Sequence, residues 1–306
     1  MVSFRFHLVS LVAVFLALGL GVLTGTTVLN RGIVAQLQRQ TDALSSDLSG
    51  LRGDVARLRS ESVVWSEFGE QMMPSVLAGR LAALDAIVVT QDGTDDDSIA
   101  GVERALEEAG AQVLALLSVS DRMALATDAD RVELAGIVGE EVTTDPPTLR
   151  ARAAQVLADR LSAGPTGVDE LEELLRTRFL LNQGPGLGDA ALRDVGLPGQ
   201  IVVVVAGGPA SSRVDPASFL VPLVSGLARR GSAVAAAEPA VGEDQEPPFV
   251  TLIRTDGDVA SQVATQDNVD QLPGQVSLVV ALEDLLQGTP GHYGVKDGAS
   301  APFPEL

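Results

Sequence analysis

The feature that most constrains the fold of this chain is an uncharged apolar run near its N-terminus. From Leu8 to Leu29, 22 consecutive residues (LVSLVAVFLALGLGVLTGTTVL) contain no Asp, Glu, Lys or Arg. As a helix rising 1.5 Å per residue, such a run matches a hydrocarbon core of roughly 30 Å. The apolar core of a cleaved signal peptide is shorter, about 7 to 15 residues, and no A-x-A cleavage site follows this run. The sequence therefore predicts an uncleaved transmembrane helix within residues 1–30.

Small residues recur every four positions along this predicted helix. Ala13, Ala17, Gly21 and Gly25 would share one face, where two backbones can approach closely, and we interpret them as a dimerisation face. The alternative is that Gly and Ala are simply common in this chain and in membrane helices. Basic residues flank both ends of the run, so the positive-inside rule barely discriminates; we expect a short internal tail and an extracytoplasmic domain.

A heptad repeat follows the apolar run and predicts a coiled-coil neck over residues 31–67. The a and d positions are Val34, Leu37, Thr41, Leu44, Leu48, Leu51, Val55 and Leu58. In this register Asp47 and Asp54 fall at g, while Arg52 and Arg59 fall at e, so each carboxylate reaches a guanidinium five residues on in a parallel partner.

We interpret the neck as a parallel homodimer. Two copies that are inserted in the membrane in the same orientation must have their necks parallel to each other. The alternative is a single amphipathic helix packed on the globular domain, which would need a similar stripe but not the charge pairing. A neck of about 30 residues would hold the domain roughly 45 Å from the bilayer.

Residues 68–306 are predicted to form an acidic α/β domain with a mostly parallel sheet and helices on both faces. A βαβ unit is predicted by a strand, a helix and a strand at Asp85–Thr90, Ser98–Ala109 and Gln112–Leu117. Further helices are predicted at Leu149–Ser162, Val168–Leu181, Ala217–Arg230 and Leu282–Gln287, and further strands at Gln200–Ala206, Ala233–Ala237, Phe249–Arg254 and Val276–Ala281. A Gly-rich stretch, Gly184–Gly199, would suit a hinge, so one domain and two lobes divided near residue 195 both stay open.

Charge and composition exclude several classes of function. The formal net charge is −20. Residues 1–67 contain six Arg and five acidic residues (+1), so residues 68–306 carry −21, which disfavours binding to nucleic acid. There is no cysteine, and the two histidines are His7 and His292. A thiol nucleophile is therefore excluded, a His-based catalytic triad would depend on His292 alone, and no enzyme is predicted.

Two features are candidate metal ligands. Asp95, Asp96 and Asp97 crowd the loop after the first predicted strand, where open α/β sheets bind ligands, and His292 lies in a GHYG segment. The alternatives are an acidic first turn that favours a helix N-terminus and a loop cap. Met72 and Met73 are soft ligand types, but adjacent positions on a helix point in different directions, which favours core packing.

The whole chain resembles the actinobacterial family of MctB-like copper transporters. The resemblance is carried by HLVSLVAVFLALGLGVLTG at His7–Gly25, by the heptad neck, by DDDSIAGVERALEEAGAQV at Asp95–Val113, and by VSLVVALEDLLQGTPGHYGV at Val276–Val295. It implies a role in copper homeostasis or efflux in the cell envelope, with copper as a transported or sensed ion and no evident cofactor. The residue patterns alone favour an alternative: a dimeric, non-enzymatic scaffold that presents an acidic head to an envelope protein partner.

Overall fold

A computed structural model describes residues 4–167, 169–184, 189–207, 213–240 and 248–305. One long helix, α1, begins at Phe4 and ends at Leu77. Within the described residues one stretch, Arg5–Gly25, is long and apolar enough to cross a membrane, and it overlaps the predicted run that starts at Leu8. The chain divides into two compact units, residues 1–65 and residues 66–306.

The second unit is built on a mixed sheet whose described strands are ordered β3-β2-β1-β4-β5-β6-β7. The strands are β1 Asp85–Gln91, β2 Gln112–Val119, β3 Leu180–Asn182, β4 Ile201–Val205, β5 Ala233–Glu238, β6 Ala264–Asp267 and β7 His292–Tyr293. All neighbouring strands pair in parallel except β3, which runs antiparallel to β2. The predicted α/β class and the mostly parallel sheet are confirmed.

Helices connect the strands and cover both faces of the sheet. They are α2 Asp96–Glu108, α3 Asp128–Val138, α4 Pro146–Ala163, α5 Glu170–Arg176, α6 Asp189–Asp194, α7 Leu220–Arg229, α8 Phe249–Thr255, α9 Gly257–Ala260 and α10 Leu272–Leu286. Short 3-10 turns lie at Asp121–Ala124 and Pro216–Ser218.

Alternate residues of β1 enter two different hydrophobic clusters. Ile87 and Val89 pack in a cluster that includes residues of α3, α4 and α7. Ala86 and Val88 pack in a second cluster with residues of α2, α10 and the end of α1. Because side chains alternate along a strand, a central parallel strand needs a helix layer on each side, and the predicted coverage of both faces is confirmed.

The predicted strand at Phe249–Arg254 is wrong, because this segment forms α8. Its β-branched and aromatic residues favour a strand, yet Phe249, Val250 and Ile253 are the residues that are buried. Spacings of one, three and four residues put these side chains on one face of a helix and on opposite faces of a strand. A run of six residues is too short for its periodicity to decide between the two.

The predicted strand at Val276–Ala281 is also wrong, since these residues lie inside α10, which absorbs the short helix predicted at Leu282–Gln287. Five consecutive residues, Leu278 to Leu282, are buried, so this part of the helix is apolar all round and resembles a buried strand in sequence. The strand next to it, β6, was missed because its sequence is ATQD, whose polar side chains are buried in the structure.

Around the predicted hinge, the observed elements also differ from the predicted ones. The helix predicted at Val168–Leu181 is shorter, since α5 ends at Arg176 and β3 begins at Leu180. Val168 and residues 185–188 lie outside the described residues. The strands on either side of residue 195 belong to one sheet, because β4 pairs directly with β1.

Candidate functional site

Asp95 caps the N-terminus of α2. Its Oδ2 accepts hydrogen bonds from the Ser98 backbone N–H at 2.8 Å and from the Ser98 hydroxyl at 2.7 Å. Asp96 and Asp97 follow in the first turn of the helix, where carboxylates interact favourably with its positive end. The Oδ2 atom of Asp95 is therefore already engaged in hydrogen bonds with Ser98 of α2.

His292 lies on β7, at the edge of the sheet, and is half-buried. Its Nδ1 is 3.0 Å from the Thr265 hydroxyl on β6. Burial lowers the pKa of His292, and the nearby charge of Arg254 lowers it further, while a hydrogen bond to the Ala260 backbone acts in the opposite direction. Burial and the charge of Arg254 therefore favour the neutral imidazole, and its hydrogen bonds fix its orientation.

The structure does not bring His292 together with Asp95, Asp96 and Asp97. The acidic residues follow β1, whereas His292 is on β7, four strand spacings away in the sheet order. At about 4.8 Å per strand this separation is about 19 Å, far beyond the reach of one metal ion. In the described part of the chain, no group of three or more His, Asp or Glu side chains is arranged to hold a metal. Copper binding at these residues stays a prediction.

The two adjacent methionines have different environments. Met73 is 3% exposed and belongs to the second hydrophobic cluster, as core packing predicts. Met72, about 100° further around α1, is 43% exposed. They therefore do not form a joint thioether site within one chain.

The sequence analysis missed a buried charge cluster at the carboxyl ends of β5 and β6. It consists of Glu238, Arg254, Asp267 and Lys296. Arg254 donates to Asp267 at 3.0 Å, with side chains 2% and 0% exposed, and Lys296 Nζ lies 2.9 Å from Glu238 Oε1. Burial raises the pKa of Glu238, and the charge of Lys296 opposes that rise.

This buried charge cluster fastens the C-terminal segment to the sheet. The Asp267 carboxylate accepts hydrogen bonds from the backbone N–H groups of Val295 at 2.6 Å and Lys296 at 3.1 Å. Gly294 has φ +128°, and a Cβ there would clash with the Asp267 carboxylate. The second glycine of GHYG is thus explained by packing, and the one signal in sequence was that Lys296 is the sole lysine of the chain.

The predicted dimerisation residues are exposed in the single chain. Ala13, Ala17 and Gly21 lie in the apolar stretch of α1, none of which is buried, and Gly25 ends that stretch. In the neck, the exposed fractions run from 46% to 62% for Leu37, Leu44, Leu48, Leu51, Val55 and Leu58. The side chain of Val34 lies outside the described residues.

One neck carboxylate has a partner within its own helix. Asp54 lies 3.5 Å from Arg57, which also pairs with Glu61 at 3.0 Å. All three side chains are exposed by half or more, so these contacts contribute little to stability. Arg57 therefore competes for the Asp54 carboxylate with Arg59 of the second copy, the partner that the heptad register predicts.

Comparison with known proteins agrees with the anchored architecture. A family model described as "Copper transport outer membrane protein, MctB" matches residues 1–304. The chain is 28% identical to proteins named Copper transporter MctB from Mycobacterium tuberculosis and Mycobacterium bovis, covering 98% of both chains. It is 27% identical to the protein of that name from Mycobacterium leprae, again over 98% of each chain.

These matches run through the apolar stretch, the neck and the α/β domain alike. They confirm the resemblance that the sequence motifs indicated. The chain belongs to the MctB family of copper transport proteins.

Proposed function

We propose that this protein is a single-pass envelope protein of copper homeostasis, with its α/β domain on the extracytoplasmic side. The observation that carries the proposal is the family match over residues 1–304, supported by relatives named as copper transporters that align over 98% of their length. The match to these relatives covers the anchor, the neck and the α/β domain. We therefore propose that all three parts contribute to the role.

The working form is a parallel homodimer. Its support is the row of exposed apolar a and d residues along the neck, with Leu44, Leu48 and Leu51 all more than half exposed in the single chain. In a single helix these apolar side chains stay exposed to water. In a coiled coil a second copy buries them in the seam between the two helices. The small-residue face of the membrane helix lies on the same helix and favours the same pairing.

Two modes of action are compatible with a role in copper homeostasis. In the first, copper binds directly, and Asp95, Asp96, Asp97 and His292 are its ligands. In the second, the dimer is a scaffold whose acidic domain binds an envelope protein that handles the ion. We favour the scaffold, because Asp95 is occupied as a helix cap and His292 as a hydrogen-bonding partner of Thr265.

Growth and cell copper across a copper series test the proposed function. A deletion strain is complemented with the intact gene, a gene lacking residues 85–306, or one of two point-variant sets. The ligand set changes Asp95, Asp96 and Asp97 to Asn and His292 to Gln; Asn keeps the cap and Gln keeps a polar side chain. The neck set is Leu44→Asp with Leu51→Asp.

The scaffold predicts that the ligand set restores copper tolerance and that the neck set and the truncated gene do not. Direct binding predicts the reverse for the ligand set, provided that the variant is present in the membrane at the normal level. Unchanged copper in the deletion strain would contradict a copper role altogether. Recovery of a partner by both the intact protein and the ligand set would support the scaffold further.

A further inference from the structure

The middle of the neck contains a run of residues that form helices poorly. From Ser45 to Gly53 the sequence is SSDLSGLRG, with three serines and two glycines, and we call this run the Ser/Gly segment. Glycine loses more conformational freedom in a helix than any other residue, and serine side chains compete for backbone hydrogen bonds. The backbone of this run is therefore expected to be the least stable part of the neck helix.

The structure shows such competition inside a continuous helix. α1 passes through the Ser/Gly segment without a break, and every residue of the segment is exposed in the single chain. The Ser49 hydroxyl donates a hydrogen bond to the Ser45 carbonyl at 2.8 Å. A hydroxyl that bonds the carbonyl four residues back shares that acceptor with the backbone and often bends a helix. Ser49 is followed by Gly50, and pairs of glycine and serine are among the sites at which helices kink.

The next two turns of the neck, Asp54–Glu61, have contacts that the Ser/Gly segment does not have. Arg57 pairs with Asp54 at 3.5 Å and with Glu61 at 3.0 Å, three and four residues away. Each exposed pair contributes little, but both support the helical backbone. In the part of the chain that the structure describes, no ion pair joins two residues of the Ser/Gly segment. The weakest backbone of the neck therefore also has the fewest contacts along its own helix.

The apolar seam of the neck continues through the Ser/Gly segment. Leu48 at a and Leu51 at d lie inside it, whereas Gly50 and Gly53 fall at c and f, away from the seam. The segment thus combines a weak helical backbone with side chains that would hold two copies together.

We propose that the Ser/Gly segment is a flexible joint, at which the neck helix opens and bends. The parts of the neck before and after the joint can then change their angle. The opening of the helix follows from the residues of one chain and does not need a second copy. The additional statement that the joint bends without separating two copies rests on the homodimer proposed above.

Hydrogen exchange of backbone amides tests the joint in the detergent-solubilised full chain. We expect exchange in the Ser/Gly segment to be at least about tenfold faster than in Asp54–Glu61. The variant Gly50→Ala with Gly53→Ala should slow exchange in the segment roughly tenfold, because alanine is the best helix former. A Cβ at either glycine meets no atom within 4 Å, so the variant introduces no clash.

The matched control is Gly136→Ala, which makes the same change on an exposed face of α3, where a Cβ also has open space. It should leave exchange in the neck unchanged. Equal exchange rates in the Ser/Gly segment and in Asp54–Glu61 of the natural protein would overturn the joint. An unchanged rate in the double alanine variant would overturn it as well.

Trypsin supplies an independent readout, because it cleaves after arginine. Arg52 lies in the Ser/Gly segment, whereas Arg57 and Arg59 lie in the following turns. A helix must open locally before a protease can cut it, so among these three sites we expect the first cut after Arg52. The double alanine variant should slow that cut. First cleavage after Arg57 or Arg59 would contradict the joint.

Light scattering on the same samples separates the joint from the homodimer. A dimer with rapid exchange in the Ser/Gly segment supports both statements. A dimer in which the segment exchanges as slowly as Asp54–Glu61 overturns the joint alone. A monomer with rapid exchange keeps the opening of the helix but overturns the homodimer, and with it the statement that the joint bends between paired copies.

Discussion

At the scale of single residues, the Arg254–Asp267 pair is a buried contact whose loss would destabilise the fold. Both side chains are almost completely removed from water, and Asp267 also accepts the backbone N–H groups of the C-terminal segment. A buried ion pair contributes little compared with an apolar substitute, but removing one partner leaves the other charge buried and unpaired. The cost of breaking the pair therefore exceeds any gain that came from forming it.

The variant Asp267→Asn should lower the free energy of unfolding by about 3–5 kcal/mol, because Arg254 would keep its charge but lose the carboxylate to which it is hydrogen-bonded. Urea unfolding of the detergent-solubilised full chain, followed by circular dichroism, measures the loss. The matched control is Asp92→Asn, an exposed aspartate, which should change the free energy by less than about 0.5 kcal/mol. Equal losses in the two variants would contradict the importance of the pair.

His292 should make stability depend on pH. Its pKa is lowered below the ordinary value of 6.5, first by burial and then by Arg254. Below pH 6.5 the unfolded chain therefore binds a proton that the folded chain does not, so stability should fall as the pH drops from 6.5 through the folded pKa. The variant His292→Gln does not titrate and should show a shallower fall in the same urea experiment. If the natural protein and His292→Gln show the same dependence of stability on pH, His292 does not contribute to that dependence.

The candidate ligands show how far residue types alone could be interpreted. The sequence identified an acidic cluster, which follows the carboxyl end of β1, and a histidine, which begins β7 at the edge of the sheet. It did not reveal that Asp95 is used by Ser98 or that His292 is bonded to Thr265, since those partners depend on cap geometry and on pairing between distant strands. The pairing within the buried charge cluster could not be predicted for the same reason, although Lys296 stood out as the sole lysine of the chain.

At the scale of elements, the first βαβ unit was predicted well, whereas two short apolar runs were assigned to strands although they form helices. The helix at Ser98–Ala109 and the strands at Asp85–Thr90 and Gln112–Leu117 are confirmed within a few residues. The strand predicted at Val276–Ala281 was wrong because a helix buried on most sides has the composition of a parallel strand. The strand predicted at Phe249–Arg254 was wrong because six residues are too few for their periodicity to distinguish a helix from a strand. Burial by neighbouring elements, not local preference, decided their conformation.

The neck offers a test of the predicted pairing between g and e positions. Asp47→Arg should weaken the dimer, because position 47 would then face Arg52 of the second copy with like charge, and the double variant Asp47→Arg, Arg52→Asp should restore it. The expected change is about 0.2–1 kcal/mol per pair at low salt. Dimer dissociation measured by light scattering in detergent gives the values. Asp42→Arg, the same charge change at position b, is the control and should leave dissociation nearly unchanged.

At the scale of the whole molecule, the orientation of the single membrane span decides in which compartment the acidic domain lies. The apolar stretch Arg5–Gly25 precedes a domain with a net charge near −21, which anionic lipid would repel. The extracytoplasmic placement of this domain is a proposal, because basic residues flank both sides of the apolar stretch.

Labelling of intact cells with a membrane-impermeant maleimide tests that orientation, because the natural chain has no cysteine. Glu108→Cys, on an exposed position near the end of α2, should be labelled without permeabilisation. Ser3→Cys, in the N-terminal tail, should be labelled only after permeabilisation. The opposite pattern would place the domain in the cytoplasm.

The sequence by itself determined the features that depend on local composition and on periodicity. The apolar stretch, the long helix with its heptad stripe, and the first βαβ unit each follow from side chains close together along the chain. Only the tertiary structure decided the strand order, the helical state of α8 and α10, and the pairing of Arg254 with Asp267. Those features depend on contacts between segments far apart in sequence, where burial outweighs local preference and a charge is stable only beside the partner that the fold supplies.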